Sequence, residues 1–451
     1  MKKTLSTLLV SLLILTLSAQ ETKTKTGWSL GPLPAISFDS DLGFQYGGLL
    51  NLWNYGKGDI YPKYYHFFYI EASHYMKGSG IFRVMYDSEH LIPGIRYTVD
   101  LSYLPDEALD FYGFNGYDAV IHKGWAKESL FNGSEYISRM FYRHRRTLLR
   151  FKNDFQGKLS GEHLRWSAGF SIQDFNISSV NIDKLNKGKS DKLQPVSEVP
   201  GLYELYKSWG IISPEEADGG MINTVKAGLT FDTRDNQPNP MKGVWIEAGV
   251  ETSQKFLGSE ASFGKFFLTH RQYFTLIPRN LSFAYRLGFQ QTIFGTVPYY
   301  YQSQLITSYL RGATSEGLGG SKSLRGVWRN RVVGDGFFYG NAELRWKAVH
   351  FTFLKNPWYL GVNGFSDFGI VTKKIDVKIP TSLNYMRPDD SMITYNKADF
   401  FNPGTEQLHV SIGAGIRIVM NENFIIAVDY GRAFKDQDGG TGFYVGLNYL
   451  F

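Results

Sequence analysis

The sequence predicts an all-β fold, a transmembrane antiparallel β-barrel of about sixteen strands. Three observations predict it. The chain opens with an export leader, and no long apolar run follows it. It is rich in aromatics and glycine and has no cysteine. Several stretches of about ten residues alternate apolar and polar side chains, as in a strand with one face in lipid and the other in a polar lumen.

Lys2 and Lys3, the apolar core Leu8 to Leu17 and the small pair Ser18-Ala19 mark residues 1–19 as a cleaved leader, too short to span a membrane as a helix. Without cysteine, disulfides, thiol catalysis, cysteine metal sites and cysteine-linked lipid anchors are excluded. The mean hydropathy of −0.24 would suit a soluble protein. Yet aromatics make up 16% of the chain, with 29 Tyr and 34 Phe, and there are 48 Gly against 16 Pro. Barrel strands reconcile these figures, because alternation keeps the mean low. A net charge of +6 over 451 residues gives little reason to expect nucleic acid.

Sixteen strands are expected near 33–39, 43–54, 64–76, 80–88, 95–104, 143–157, 163–175, 222–233, 244–253, 261–275, 281–294, 337–350, 357–370, 406–419, 424–433 and 441–451. The clearest is the last: Phe443, Val445, Leu447, Tyr449 and Phe451 alternate with Tyr444, Gly446, Asn448 and Leu450. Leu447, Tyr449 and Phe451 also resemble the C-terminal signal that outer-membrane barrels present for assembly. Leu281, Phe283, Tyr285, Leu287 and Phe289 alternate with Ser282, Ala284, Arg286, Gly288 and Gln290. Phe424, Ile426, Val428 and Tyr430 alternate with Ile425, Ala427, Asp429 and Gly431. Residues 20–32 are read as a short periplasmic segment and 33–451 as the barrel.

With both termini in the periplasm, the long connections 105–142, 176–221, 295–336 and 371–405 all fall outside. Within 176–221, Ser213-Pro214-Glu215-Glu216 reads as a helix start in an otherwise solvated loop. The cluster Arg143, His144, Arg145, Arg146 has two readings, the lumen wall or lipopolysaccharide phosphates. Phe111 to Gly116 reads as a packed turn in an external loop.

Two stretches carry a resemblance. Phe231 to Gly243, FDTRDNQPNPMKG, joins two strands by a turn that carries Asp232, Arg234, Asp235, Pro240 and Gly243. Gly319 to Gly336, GGSKSLRGVWRNRVVGDG, holds Leu324-Arg325-Gly326. Together they resemble the bacterial surface antigen family, the barrels of BamA and TamA assembly factors and of two-partner secretion transporters. Val327 departs from the family's aromatic after Arg-Gly, and Trp328 is expected to take its part. The resemblance implies that this long external loop folds into the lumen. It also implies that Arg325 pairs there with the acids matching Glu343 and Asp367. Strand parity agrees: Glu343 alternates with Ala342 and Leu344, and Asp367 with Phe368, so both acids face inward. The family normally carries periplasmic POTRA domains ahead of the barrel; residues 20–32 are too few for one, so a member lacking them is expected.

The expected function is therefore that of an integral outer-membrane protein of a Gram-negative bacterium, an accessory or specialised factor in protein insertion, assembly or translocation. Its expected partners are membrane lipid and lipopolysaccharide, assembly machinery and client proteins. The alternative is a porin-like channel or surface adhesin. No enzyme activity, cofactor or metal is expected, since the nine histidines show no ligand spacing.

Overall fold

The computed structural model describes residues 24–128, 135–308 and 313–451, so the expected leader at 1–19 lies outside the described residues. Alternation becomes sixteen antiparallel strands, each hydrogen-bonded to its sequence neighbour. They are β1 (Trp28–Pro34, resuming at Ser37–Asp39), β2 (Gly43–Asn54), β3 (His66–Tyr75), β4 (Gly80–Ile92), β5 (Ile95–Asp110), β6 (Arg143–Ser160), β7 (Leu164–Ser178) and β8 (Gly219–Asp232). Then follow β9 (Gly243–Ser253), β10 (Phe263–Ile277), β11 (Leu281–Gly295), β12 (Gly336–Phe353), β13 (Asn356–Lys373), β14 (His409–Met420), β15 (Phe424–Ala433) and β16 (Thr441–Leu447).

Boundaries move for physical reasons. The first strand begins at Trp28 rather than Leu33, because β2 runs to Asn54 and offers Trp28 a partner. The expected segment 20–32 is thus partly strand. β5 extends six residues past Leu104, where apolar alternation has ended and charge pairing takes over: Asp106 lies opposite Arg146 and Asp110 opposite Arg143. Arg143 Nη2 stands 3.0 Å from Asp110 Oδ1, and Arg146 reaches Glu316 at 2.9 Å. Arg146 therefore braces the barrel from within, while Arg145, on the other face of the strand, pairs with Glu107 at 3.1 Å.

Connections alternate in length. Loops 111–142, 179–218, 296–335 and 374–408 lie at one end; turns such as 93–94, 161–163 and 354–355 lie at the other. For outer-membrane barrels these ends are external and periplasmic. The four long loops share an aromatic core. Phe111 meets Tyr206 edge-on at 5.5 Å, and Trp209 meets Phe400 at 4.9 Å. Helix formation occurs at Leu202–Ser208, which buries Leu202, Tyr203, Leu205 and Tyr206, and where Glu204 accepts from the Gly201 amide. Ser213 to Glu216 forms a turn rather than the expected helix start, with the Glu216 carboxylate bonded to the Tyr299 amide.

The barrel closes through a narrow seam. Only Phe38 opposite Val445 and Asp39 opposite Tyr444 pair β1 with β16, assisted by Ser40 bonding Phe443. Trp28–Pro34 pairs with β2 on one side, and no described strand covers its other edge. β16 itself ends at Leu447, correcting the expected strand 441–451. Asn448 takes a left-handed φ of 70°, which breaks the two-residue alternation. Leu447 stays on the lipid face, but Tyr449 and Phe451 turn into the lumen.

Candidate functional site

Loop 296–335 enters the barrel in two places. Its hairpin (Gln304–Ser308 with Ala313–Glu316) lies against β10 and β11, where Gln290 bonds the Gln304 carbonyl and the Ile306 amide at 2.9 Å each. The following stretch runs along the adjoining wall, onto β12 and β13. Leu324 and Val327 are fully buried with Leu318, Val332, Phe337 and Tyr339, forming an apolar anchor inside a polar lumen. Val327, which departs from the family aromatic, belongs to this anchor. Trp328 instead stacks on Tyr112 at 5.3 Å, under the external lid.

Arg325 sits beyond that anchor with 1% of its side chain exposed. Nε donates to Asp367 Oδ2 and Nη2 to Asp367 Oδ1, both at 2.9 Å, a bidentate fork. Its own amide bonds the same carboxylate at 3.0 Å. Nη1 lies 2.7 Å from Glu343 Oε1, an ion pair whose angle falls short of a directed hydrogen bond. The guanidinium lies 3.4 Å above the Phe365 ring. Both expected acids are thus brought to the arginine.

The structure adds partners that the sequence left unassigned. Asp429 of β15 lies 3.4 Å from Arg325 Nη1. Arg417 of β14 holds Asp429 at 2.8 and 3.0 Å, and Arg345 holds Glu343 at 2.8 Å. Three guanidinium groups therefore pair with three carboxylates in one buried cluster. Two-residue alternation puts Arg345 on the face of Glu343, but nothing local says that β15 meets the loop. Arg286 and Asn341 fasten the loop backbone at Lys322 (3.1 Å) and Ser323 (2.7 Å). Gly326 donates to the Tyr444 hydroxyl at 3.0 Å, tying the loop to β16. Farther along, Arg329 pairs with Asp106 at 2.7 Å, and Arg331 bonds the Gly116 carbonyl at 2.9 Å.

At the periplasmic end, Arg234 forks onto Asp232 at 2.9 and 2.6 Å and stacks 3.8 Å from the Trp245 ring. Asp235 accepts from the amides of Asn236, Met241 and Lys242, closing the turn. Gly243 has φ 109°, and a Cβ there would stand 2.4 Å from the Thr233 carbonyl oxygen. Pro240 is buried. The turn folds under the barrel mouth, where Asn239 Nδ2 donates to the Tyr359 hydroxyl at 2.9 Å and to Glu422 at 2.5 Å. Asn239 lies within the expected motif, yet no local pattern marks it, because its partners lie on distant strands.

The architecture has relatives. BamA from Haemophilus ducreyi lacking POTRA domains 1-3 superposes with a TM-score of 0.53 at 13% identity, covering 94% of this chain and 71% of that one. CdiB from Escherichia coli gives 0.54 at 11% identity, covering 95% of this chain and 64% of that one, less than two thirds of its length. No curated protein matches the sequence. A family model, the Omp85 superfamily domain, matches residues 131–451. The chain belongs to the Omp85 superfamily.

Proposed function

We propose that this barrel is an integral outer-membrane protein that assists the insertion, assembly or translocation of other polypeptides, without catalysis, through its β1–β16 seam. The carrying observation is the unpaired edge of β1. Antiparallel strands normally satisfy both edges of main-chain donors and acceptors, and an exposed edge templates an added strand. Trp28–Pro34 offers such an edge beside the two-pair closure at Phe38 and Asp39. Its exposed Trp28, Leu30 and Leu33 suit contact with lipid or an incoming apolar strand. The external loops pack an aromatic core over one mouth and the docked loop buries its anchor inside the barrel, which favours this reading over an open porin-like pore.

The protein has no cysteine, so a seam disulfide can be introduced cleanly. Phe38 and Val445 lie directly opposite one another, within disulfide reach for an antiparallel pair. Proteoliposomes carrying Phe38→Cys with Val445→Cys are given a urea-unfolded outer-membrane barrel, and its folding is followed by heat-modifiable gel mobility. Folding should be accelerated by the reduced protein and not by the oxidised one. Equal acceleration in both states would overturn a seam-based role.

A further inference from the structure

We propose that the lumen wall carries a seat for an aromatic strand end, held in this structure by Tyr449 and Phe451, and that seat and loop lock are coupled through Arg345 and Arg417. The Phe451 ring lies against Tyr273 (6.4 Å between centroids) and Ala284, with Arg286 5.5 Å from its centre. Arg345 Nη2 donates to the main-chain oxygen of Phe451 at 2.9 Å, and its guanidinium lies 4.2 Å from the Tyr449 ring. Arg417 lies 5.1 Å from the same ring. From below, the Tyr449 hydroxyl meets the Tyr359 hydroxyl at 3.3 Å, which in turn takes the Asn239 bond. The periplasmic turn thereby supports the seat.

Coupling follows from shared arginines. Arg345 holds Glu343 with Nε and Phe451 with Nη2. Arg417 holds Asp429 while facing Tyr449. Arg325 pairs with both of those acids. Removing Arg325 leaves Asp367 without its fork and Glu343 and Asp429 each short of one guanidinium. The imbalance draws Arg345 and Arg417 toward the acids and away from the aromatic tail. Emptying the seat frees the same two arginines to compete with Arg325 for Glu343 and Asp429. Linkage requires the effect to be equal in both directions. This coupling does not depend on the proposed assembly role, and its failure would leave the seam experiment untouched.

Single cysteines at Leu450 (Leu450→Cys) and Ser321 (Ser321→Cys) report tail and loop through their rate of labelling by a membrane-impermeant maleimide in detergent micelles. Arg325→Ala should raise labelling at position 450 on the order of tenfold, and Tyr449→Ala with Phe451→Ala should raise it similarly at position 321. All three changes together should add little beyond either set alone, the mark of coupled groups. Heat-modifiable mobility confirms folding. Should Arg325→Ala not fold, Arg325→Lys and the tail arm carry the test. Labelling at each site that ignores the change at the other would overturn the coupling. So would an equal acceleration by the remote surface change Phe256→Ala.

Discussion

Gly326 and Gly431 meet back to back, main chain against main chain. A Cβ on Gly326 would stand 2.6 Å from the Gly431 carbonyl carbon, and one on Gly431 would stand 2.5 Å from the Arg325 carbonyl oxygen. Gly326 also holds φ 96°, which side chains disfavour. The loop can press its arginine into the wall only because both residues lack a side chain. Gly326→Ala should therefore undock the loop while leaving every charged partner in place, at a cost of roughly 1–3 kcal/mol. Faster protease cleavage within 319–336 checks this, and an unchanged cleavage rate would show that the close approach is dispensable.

Arg325→Ala should be harsher. It leaves Asp367 buried and unpaired and Glu343 with Arg345 alone, and losing one partner of such a cluster typically costs about 3–5 kcal/mol. The temperature at which the barrel loses its compact gel mobility should fall. Arg325→Lys should fall between the two, since a lysine keeps the charge but not the fork onto Asp367.

Asn239→Ala should loosen the periplasmic turn from Tyr359 and Glu422, at about 0.5–1.5 kcal/mol for each hydrogen bond lost, since Glu422 keeps Lys347 and Tyr359 keeps Tyr449. Protease sensitivity of residues 233–242 should rise, and loop 319–336 should stay protected. Loss of protection in both regions together would mean that the turn contributes to global folding rather than to its own docking.

The tip of the first hairpin should respond to pH. Asp41 lies in the turn between β1 and β2, half-buried as a residue but with its carboxyl crowded by protein. Burial raises its pKa to about 8, with Asp39 and Asp110 adding to the rise and Arg329 and Lys77 opposing it. A carboxyl whose folded value exceeds its unfolded one favours the folded state most at low pH. That contribution fades as pH climbs from the ordinary carboxylate range through about 8. Melting temperature should therefore fall, relative to Asp41→Asn, between about pH 5 and about pH 9. Parallel curves for the two proteins would sink the expectation.

Much of the barrel could be read in the chain because strand alternation is a local property. Glu343 and Asp367 were placed in the lumen by counting two residues at a time from Leu344 and Phe368, and both arrive at Arg325. The same counting put Tyr449 and Phe451 toward lipid and failed there. It assumes an unbroken extended backbone, and the left-handed turn at Asn448 ends that assumption after Leu447. Asp429 alternates with Val428 and Tyr430 in the same way, yet nothing local joins it to the lock.

The sequence by itself determined the strands, their faces, the alternation of long loops with short turns, and the arginine with two of its acids. The tertiary structure alone decided that β15 supplies a third acid, that Asn239 reaches Tyr359 across the barrel mouth, and that the last residues leave the strand for the lumen. The division has a physical cause. Facing is fixed every two residues by backbone geometry, whereas contact across the lumen depends on how sixteen strands close, and no local pattern encodes that closure.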